Sequence, residues 1–316
     1  MEKLLITAPA HLHTGNFDLT GDLGRLYGTV GFAIDLPLEV EVAKAKGIKA
    51  EDKDAYKFAK RFVEKKHIEG AEIHLKKEIP KFVGLGFHTT LALSIGVGLS
   101  KLYGLNLTVE DVALIMGRGT ITALGVYAFK NGGFIIEGGF KVDQREKMVP
   151  PLIYQAAMPK NWFFVVAIPD ESRDEITKMR SKEDEILGNL KVMPKEHSDQ
   201  LSRIVLVKIM PAFVEKNIKE FGEGLTAFNQ KLGQFWSSYQ EGTYRNKVVE
   251  DGIKLMLQHS SCACQTSWGP TFYSIVEGES KAKRLTLVLE KFLSKNGGGE
   301  TFYTKANNSG ASVLGE

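Results

Sequence analysis

The sequence predicts a two-domain fold that mixes α+β and α/β layers. Three observations carry this. The chain has 316 residues, with 43% hydrophobic and 25% charged, a length that suits about two globular domains. Strand-like and helix-like patterns follow one another along its whole length. A Pro150-Pro151 pair interrupts them near the middle, and neither proline fits an element interior.

Leu4 to Ala8 reads as a buried strand. Leu38-Glu39-Val40-Glu41-Val42 alternates apolar and charged residues, as a half-exposed strand does. Ala55, Phe58, Ala59, Phe62 and Val63 recur at helical spacing, and Lys57, Lys60, Lys65 and Lys66 form the solvated face of that helix. A strand begins at Ile73-His74-Leu75. The turn Gly84-Leu85-Gly86 then leads into a small-residue, apolar helix from Thr89 to Tyr103. Thr108 caps a second helix with Glu110 and Asp111 in its first turn, and Gly117 stops it. A short helix through Gly125 to Phe129 and a strand at Phe134-Ile135-Ile136 close the first half.

The apolar run Trp162 to Ile168 opens the second half as a strand. Asp170 to Pro194, rich in charge, reads as a surface excursion. A long helix is expected from Ser198 to Phe221 with a kink at Pro211, followed by helices over Leu225 to Tyr239 and Lys247 to Gln258. The chain then runs strand (Thr271 to Val276), helix (Lys281 to Leu293), strand (Thr301 to Lys305). The expected domains are 1–158 and 159–316.

Composition excludes several function classes. A formal charge of +3 with no basic, aromatic-laced stripe argues against nucleic acid. No apolar run reaches the ~20 residues of a membrane span, and the start lacks the pattern of a signal peptide. Cys262 and Cys264 have no second pair to complete a zinc site and read as reduced thiols, so a cytoplasmic place is expected.

Four clusters can carry chemistry. Gly84-Leu85-Gly86-Phe87-His88-Thr89-Thr90 joins a strand to a helix. Its glycines let backbone approach an anion, and the helix-start amides point at it. It is not a Walker loop, since no Gly-Lys-Ser/Thr follows; the alternative is a plain packing turn. The second cluster holds His11, His13 and Asp18, then Arg25. Arg suits phosphate, and His titrates near neutrality. The third is Gln265 to Thr271 with Ser267 and Trp268. In the fourth, Gly117-Arg118-Gly119-Thr120, Arg118 either neutralises an anion or simply ends a helix.

Taken in order, these motifs resemble a known family. They are a Pro-x-x-Leu-His turn after the first strand, Leu23 to Gly28 as Leu-Gly-Arg-x-x-Gly, and Val83-Gly84-Leu85-Gly86. Met116-Gly117-Arg118-Gly119, Gly132-Gly133-Phe134, Pro150-Pro151 and Ser267-Trp268-Gly269-Pro270 continue the series. The sequence is similar to the β-ribofuranosylaminobenzene 5′-phosphate synthases of the GHMP kinase superfamily, along nearly the whole chain. The resemblance implies a first domain like ribosomal protein S5 domain 2 and a ferredoxin-like second domain. It also implies a reaction of tetrahydromethanopterin biosynthesis in archaea. In it phosphoribosyl diphosphate condenses with 4-aminobenzoate or 4-hydroxybenzoate, releasing carbon dioxide and diphosphate.

On that reading Asp18 steadies positive charge on the sugar, and His13 orients a substrate group or shuttles a proton. Arg25, Gly84, Gly86, His88, Thr89, Thr90 and Arg118 hold phosphate groups, and Ser267 and Trp268 meet the acceptor. No cofactor is required; Mg²⁺ accompanying the diphosphate is left open, and a homodimer is expected. The chain departs from the family pattern at Phe87-His88, where a Ser and a Thr are usual, at His11, where an Arg is usual, and at Phe17. These departures predict a diverged substrate, or weak or absent activity. Two other readings stay open: an ATP-dependent small-molecule kinase and a non-catalytic ligand-binding protein of the same fold.

Overall fold

The computed structural model describes residues 3–145, 147–172, 175–177, 191–240 and 242–315. Two sheets organise it. The first is built on two long strands, β1 (Lys3–Asp18) and β2 (Arg25–Ala43), which pair antiparallel over most of their length. Around them lie β3 (Gly47–Ala50), β4 (Gly70–Lys77), β5 (Phe134–Glu137), β6 (Phe140–Lys141), β7 (Leu152–Ala156) and β12 (Ser312–Gly315). The second sheet runs β11 (Gly299–Lys305), β8 (Trp162–Pro169), β10 (Phe272–Glu277), β9 (Cys264–Gln265), all antiparallel.

Helices α1 (Lys53–Lys66), α2 (Phe87–Leu102), α3 (Val109–Met116) and α4 (Leu124–Asn131) belong to the first half. Their limits follow local chemistry. Asp52 caps α1 by accepting from the Asp54 and Ala55 amides. Thr108 and Asp111 form a reciprocal capping box on α3, which ends at left-handed Gly117. Helix α2 is apolar nearly all round and mostly buried, as a helix covered by neighbours on several sides must be.

In the second half, α5 (Lys195–Ile204), α6 (Met210–Val214), α7 (Ile218–Trp236), α8 (Lys247–Leu257) and α9 (Glu279–Lys295) surround the second sheet. Strand β8 is buried at every position. Phe163, Val165 and Ala167 face the α8–α9 layer, while Phe164, Val166 and Ile168 join the main core with Phe221 and Tyr273. Two covered faces explain its unbroken apolar run.

The single helix expected over Ser198 to Phe221 is corrected. After α5 the chain makes one π turn, Val205–Ile209, in which the Met210 amide donates to the Val205 carbonyl. Pro211 has no N–H to continue the ladder, and the wider turn accommodates it. Lys216 then turns left-handed, and the Asn217 side chain caps a new helix, α7, which holds Phe221. Of the excursion expected over Asp170 to Pro194, residues 173, 174 and 178–190 lie outside the described residues. Cys262 and Cys264 are both free and buried. No helix among the described residues is long and apolar enough to cross a membrane.

Candidate active site

Three backbone segments meet between the sheets. They are the His11 to His13 part of β1, the Gly84 to Gly86 loop, and the loop after β9. The His11 amide donates to the Leu85 carbonyl at 3.2 Å, and the Ser267 amide to the His13 carbonyl at 3.0 Å. Thr266 ties all three together: its hydroxyl donates to the Gly84 carbonyl at 2.9 Å and accepts from the His13 amide at 2.9 Å. The approach is close. A Cβ on Gly269 would lie 2.1 Å from the Val83 carbonyl oxygen, so glycine is required there.

Gly86 begins α2 at φ 80, and a Cβ there would strike the His11 ring at 1.9 Å. No side chain caps this helix start. The first-turn amides of a 16-residue helix are thus left for an incoming anion.

The glycine loop separates two cavities. The inner one, about 350 Å³, is lined by His11, His13, Asn16, Tyr27, Trp236 and Tyr244 among others. The outer one, about 420 Å³, is lined by Lys57, His88 and Arg245, with Asp54 as its one carboxylate among the described residues. Gly84, Gly86, Thr89, Arg118, Ser267 and Trp268 line both.

Charge is sorted across the loop. Burial drops His11 to a pKa of about 4, with proximity to His13 adding to the effect. Burial also drops His13 to about 4. Both imidazoles are therefore neutral at pH 7, and each has a buried Nδ1 without a hydrogen-bond partner among the described residues. No carboxylate lines the inner cavity among those residues. Arg118 sits at the junction with its guanidinium 5.1 Å from the Phe58 ring centre and its Nε buried without a partner. Burial and then Arg61 pull its pKa down while Asp54 opposes them; a guanidinium so placed stays charged. Arg245 forks onto Glu171 at 2.5 and 2.6 Å and donates to the Trp268 carbonyl at 2.8 Å.

Backbone strain concentrates here. Among described non-glycine residues at positive φ, His67 and Lys216 end helices, where that conformation is ordinary, and Asn106 (φ 51), a residue type that adopts it readily, lies in the loop before α3. Tyr27 (φ 76), Phe82 (φ 64) and Ser267 (φ 52) have no helix end to account for them, and all three line a cavity. Each such residue costs about 1–3 kcal/mol, and strain of this kind gathers at functional sites.

Of the residues expected from sequence, His13, Gly84, Gly86, His88, Thr89, Arg118, Ser267 and Trp268 line the cavities. Asp18, Arg25 and Thr90 line neither. The Asp18 carboxylate accepts from the Thr20 amide and hydroxyl, closing a turn. Arg25 donates to the Gly139 carbonyl at 2.9 Å and so braces the β5–β6 hairpin. Thr90 is buried against β1, with its hydroxyl directed at the Pro9 carbonyl.

Phe87, one of the departures from the family pattern, is a buried ring in the outer-cavity wall with Lys81 over its face. His88 lies 3.4 Å from Asp54. Sequence reasoning gave no role of their own to Thr266 and Asn16, which lie inside the third and second clusters, and passed over Trp236 and Asn229. The Asn229 amide on α7 donates to the carbonyls of Thr14 and Gln265, joining β1 to the loop before Trp268.

The sequence pattern described as "GHMP kinases N terminal domain" matches residues 53–133, which hold the glycine loop and α2 to α4. A β-ribofuranosylphenol 5′-phosphate synthase of Archaeoglobus fulgidus is 29% identical over 98% of this chain and 99% of its own length. The protein of the same name from Methanocaldococcus jannaschii is 28% identical over 98% and 100%. Over nearly its whole length the chain is thus similar to β-ribofuranosylphenol 5′-phosphate synthases, and within it residues 53–133 carry the GHMP kinase N-terminal pattern. Solved structures agree on the fold. A homoserine kinase from Cytophaga hutchinsonii superposes with TM-score 0.71 at 16% identity, covering 99% of this chain and 98% of its own. A mevalonate diphosphate decarboxylase from Enterococcus faecalis does so with TM-score 0.66 at 13%, covering 100% and 99%. Likenesses this distant speak for the fold alone.

Proposed function

We propose that this chain is a pentosyltransferase that condenses phosphoribosyl diphosphate with 4-hydroxybenzoate, giving a ribofuranosylphenol 5′-phosphate, carbon dioxide and diphosphate. The observation that carries it is the sorting of charge across the glycine loop. Lys57 and Arg245 flank the outer cavity and Arg118 lies between the two, while the inner one holds neutral imidazoles with Tyr27, Trp236 and Tyr244 in a wall otherwise mostly polar and small. One substrate is polyanionic and the other is a flat ring, and the two cavities suit them in that order. The relatives' name favours a hydroxybenzoate over an aminobenzoate, because loss of its carboxyl leaves a phenol.

In the reaction the bond from ribose C1 to diphosphate breaks, and the pair of electrons leaves with the diphosphate. The first-turn amides at the start of α2 and the charges of Lys57 and Arg118 stabilise that departing charge. The ring carbon bearing the carboxylate bonds to C1. The carbon–carboxylate bond then breaks, returning its electrons to the ring as carbon dioxide leaves. Trp268, its ring 4.6 Å from that of Trp236, supplies an aromatic wall for the acceptor. A neutral His13 does not pair with the carboxylate, and an unpaired, desolvated carboxylate is lost more readily.

Mg²⁺ in this reading travels with the diphosphate, and Asp54 is the carboxylate at hand for it. A cytoplasmic homodimer in an archaeal pathway belongs to the same proposal. The kinase reading is the weaker one, since phosphoryl transfer to a hydroxyl wants a carboxylate base beside the nucleophile, and the described lining of the inner cavity has none.

The test is to incubate pure protein with phosphoribosyl diphosphate and carboxyl-labelled 4-hydroxybenzoate. Carbon dioxide and diphosphate released in equal amounts support the reading. ATP consumption with a hydroxyl acceptor, and no carbon dioxide, would replace it with the kinase.

A further inference from the structure

Three residues stand in a row across three neighbouring strands behind the inner cavity. Asn16 on β1 is the register partner of Thr29 on β2, and Thr29 is the partner of Glu137 on β5. All three are buried, Asn16 to 7% exposure and the others to 0%. Asn16 alone of them lines the cavity. Its Nδ2 donates to the Thr29 hydroxyl oxygen at 3.0 Å. Glu137 accepts from the Gly139 amide at 2.7 Å, and its other oxygen is buried without a partner at hydrogen-bonding geometry among the described residues.

Proton logic fixes the direction of this row. A carboxylate only accepts, and Glu137 stands beside Thr29 in register with one oxygen unpartnered, so the hydroxyl hydrogen of Thr29 is the donor available to it. The Thr29 lone pairs are then left to accept from Asn16. This commits the Asn16 NH₂ inward and turns its Oδ1 outward, where it makes no hydrogen bond to any described residue. That oxygen is open to the cavity that Asn16 lines, where a ligand hydroxyl can reach it.

We propose that Asn16 is a specificity-determining residue whose Oδ1, oriented by Thr29 and Glu137, accepts a hydrogen bond from a substrate hydroxyl in the inner cavity. The hydroxyl belongs either to the phenolic acceptor or to the ribose, an identification that rests on the function proposed above. The orientation depends on the ionisation of Glu137. Burial raises that carboxyl to about 7, against the pull of the Thr29 hydroxyl, the Gly139 and Ala123 amides and the Arg25 charge. Tyr127 is the other titratable group near it, and burial holds its phenol neutral well past this range. Protonated Glu137 donates to Thr29, and the Asn16 amide is then free to reverse. Affinity for the hydroxyl therefore falls as pH drops through neutrality.

The experiment compares the parent with Asn16→Leu, Asn16→Asp and Glu137→Gln, each first shown to be folded by thermal melting. Calorimetry pairs 4-hydroxybenzoate with benzoate, and phosphoribosyl diphosphate with its 2-deoxy analogue. Asn16→Leu should weaken the ligand that carries the recognised hydroxyl about three- to tenfold and leave the analogue lacking it unchanged; the affected pair names the source. Asn16→Asp should retain the preference, and Glu137→Gln should abolish its pH dependence. Equal loss for both members of each pair overturns the proposal.

A second readout needs no substrate. The Asn16 side-chain amide resonances should shift with a midpoint near neutral pH in the parent and stay still in Glu137→Gln. A parent protein that binds neither substrate would refute the synthase reading, while the amide titration still decides the row: resonances that do not move in the parent overturn it.

Discussion

Acidification should destabilise this protein through two histidines, with one buried carboxyl working against them. His11 and His13 titrate near 4 in the folded protein, from an ordinary 6.5. Glu137 titrates near 7, from an ordinary 4.5. Between about pH 4.5 and 6.5 the unfolded chain holds a proton on each histidine that the native state lacks. The native state holds one on Glu137 that the unfolded chain lacks. The histidines therefore contribute stability present above 6.5 and lost as pH falls toward 4. Glu137 contributes stability present below 4.5 and lost as pH rises through 7.

Two protons against one leave a net of one, so these groups make stability rise with pH by about 1.4 kcal/mol per unit in that window. His11→Gln should bring their slope near zero, and Glu137→Gln should roughly double it. Other groups, including His197, contribute alike to all three proteins and cancel in the comparison. Urea unfolding at half-unit pH steps measures the slopes. If His11→Gln leaves the slope of the parent unchanged, His11 is protonated in the folded state and the neutral inner cavity is wrong.

Other outcomes follow from single contacts. Gly86→Val places a β-branched residue at φ 80 against the His11 ring, and calorimetry should find diphosphate binding lost while a circular dichroism spectrum stays native. Arg118→Ala should weaken phosphoribosyl diphosphate by about 1.5–3 kcal/mol, the worth of a charge-assisted contact; unchanged affinity would free Arg118 from the site. Glu171→Ala leaves Arg245 buried and unpaired, their side chains being 6% and 9% exposed, and chemical denaturation should show a loss of about 3–5 kcal/mol.

Much of the fold was legible because local chemistry determined it. The Thr108 box, the Gly117 stop and the apolar run of β8 announce themselves within a few residues. The π turn was not legible, since a proline inside an apolar helical pattern signals a disturbance without saying how the chain absorbs it. Nor was β3, a four-residue strand whose residues are exposed or half-buried and so show no apolar alternation.

The glycine loop was recognised from its own residues. Thr266, Asn229 and Glu137 were not, because their partners at Gly84, Thr14 and Thr29 lie far along the chain. Asp18 and Arg25 line neither cavity for a related reason. Their residue types suit an anion, but nearer backbone and hydroxyl groups already engage them.

The pairing of β12 with β1 bears on how the protein comes to be folded. Leu4 to Thr7 align with Gly315 back to Ser312, so the outer edge of β1 is covered by a strand from far along the sequence. Closing so long a loop is slow compared with forming the helices in between. Until it closes, β1 offers an uncovered strand edge to any neighbouring chain. Pulse-labelled hydrogen exchange should find the β12 amides among the last to gain protection. Conditions that delay this clasp should raise aggregation during refolding, even where they leave the stability of the finished molecule unchanged.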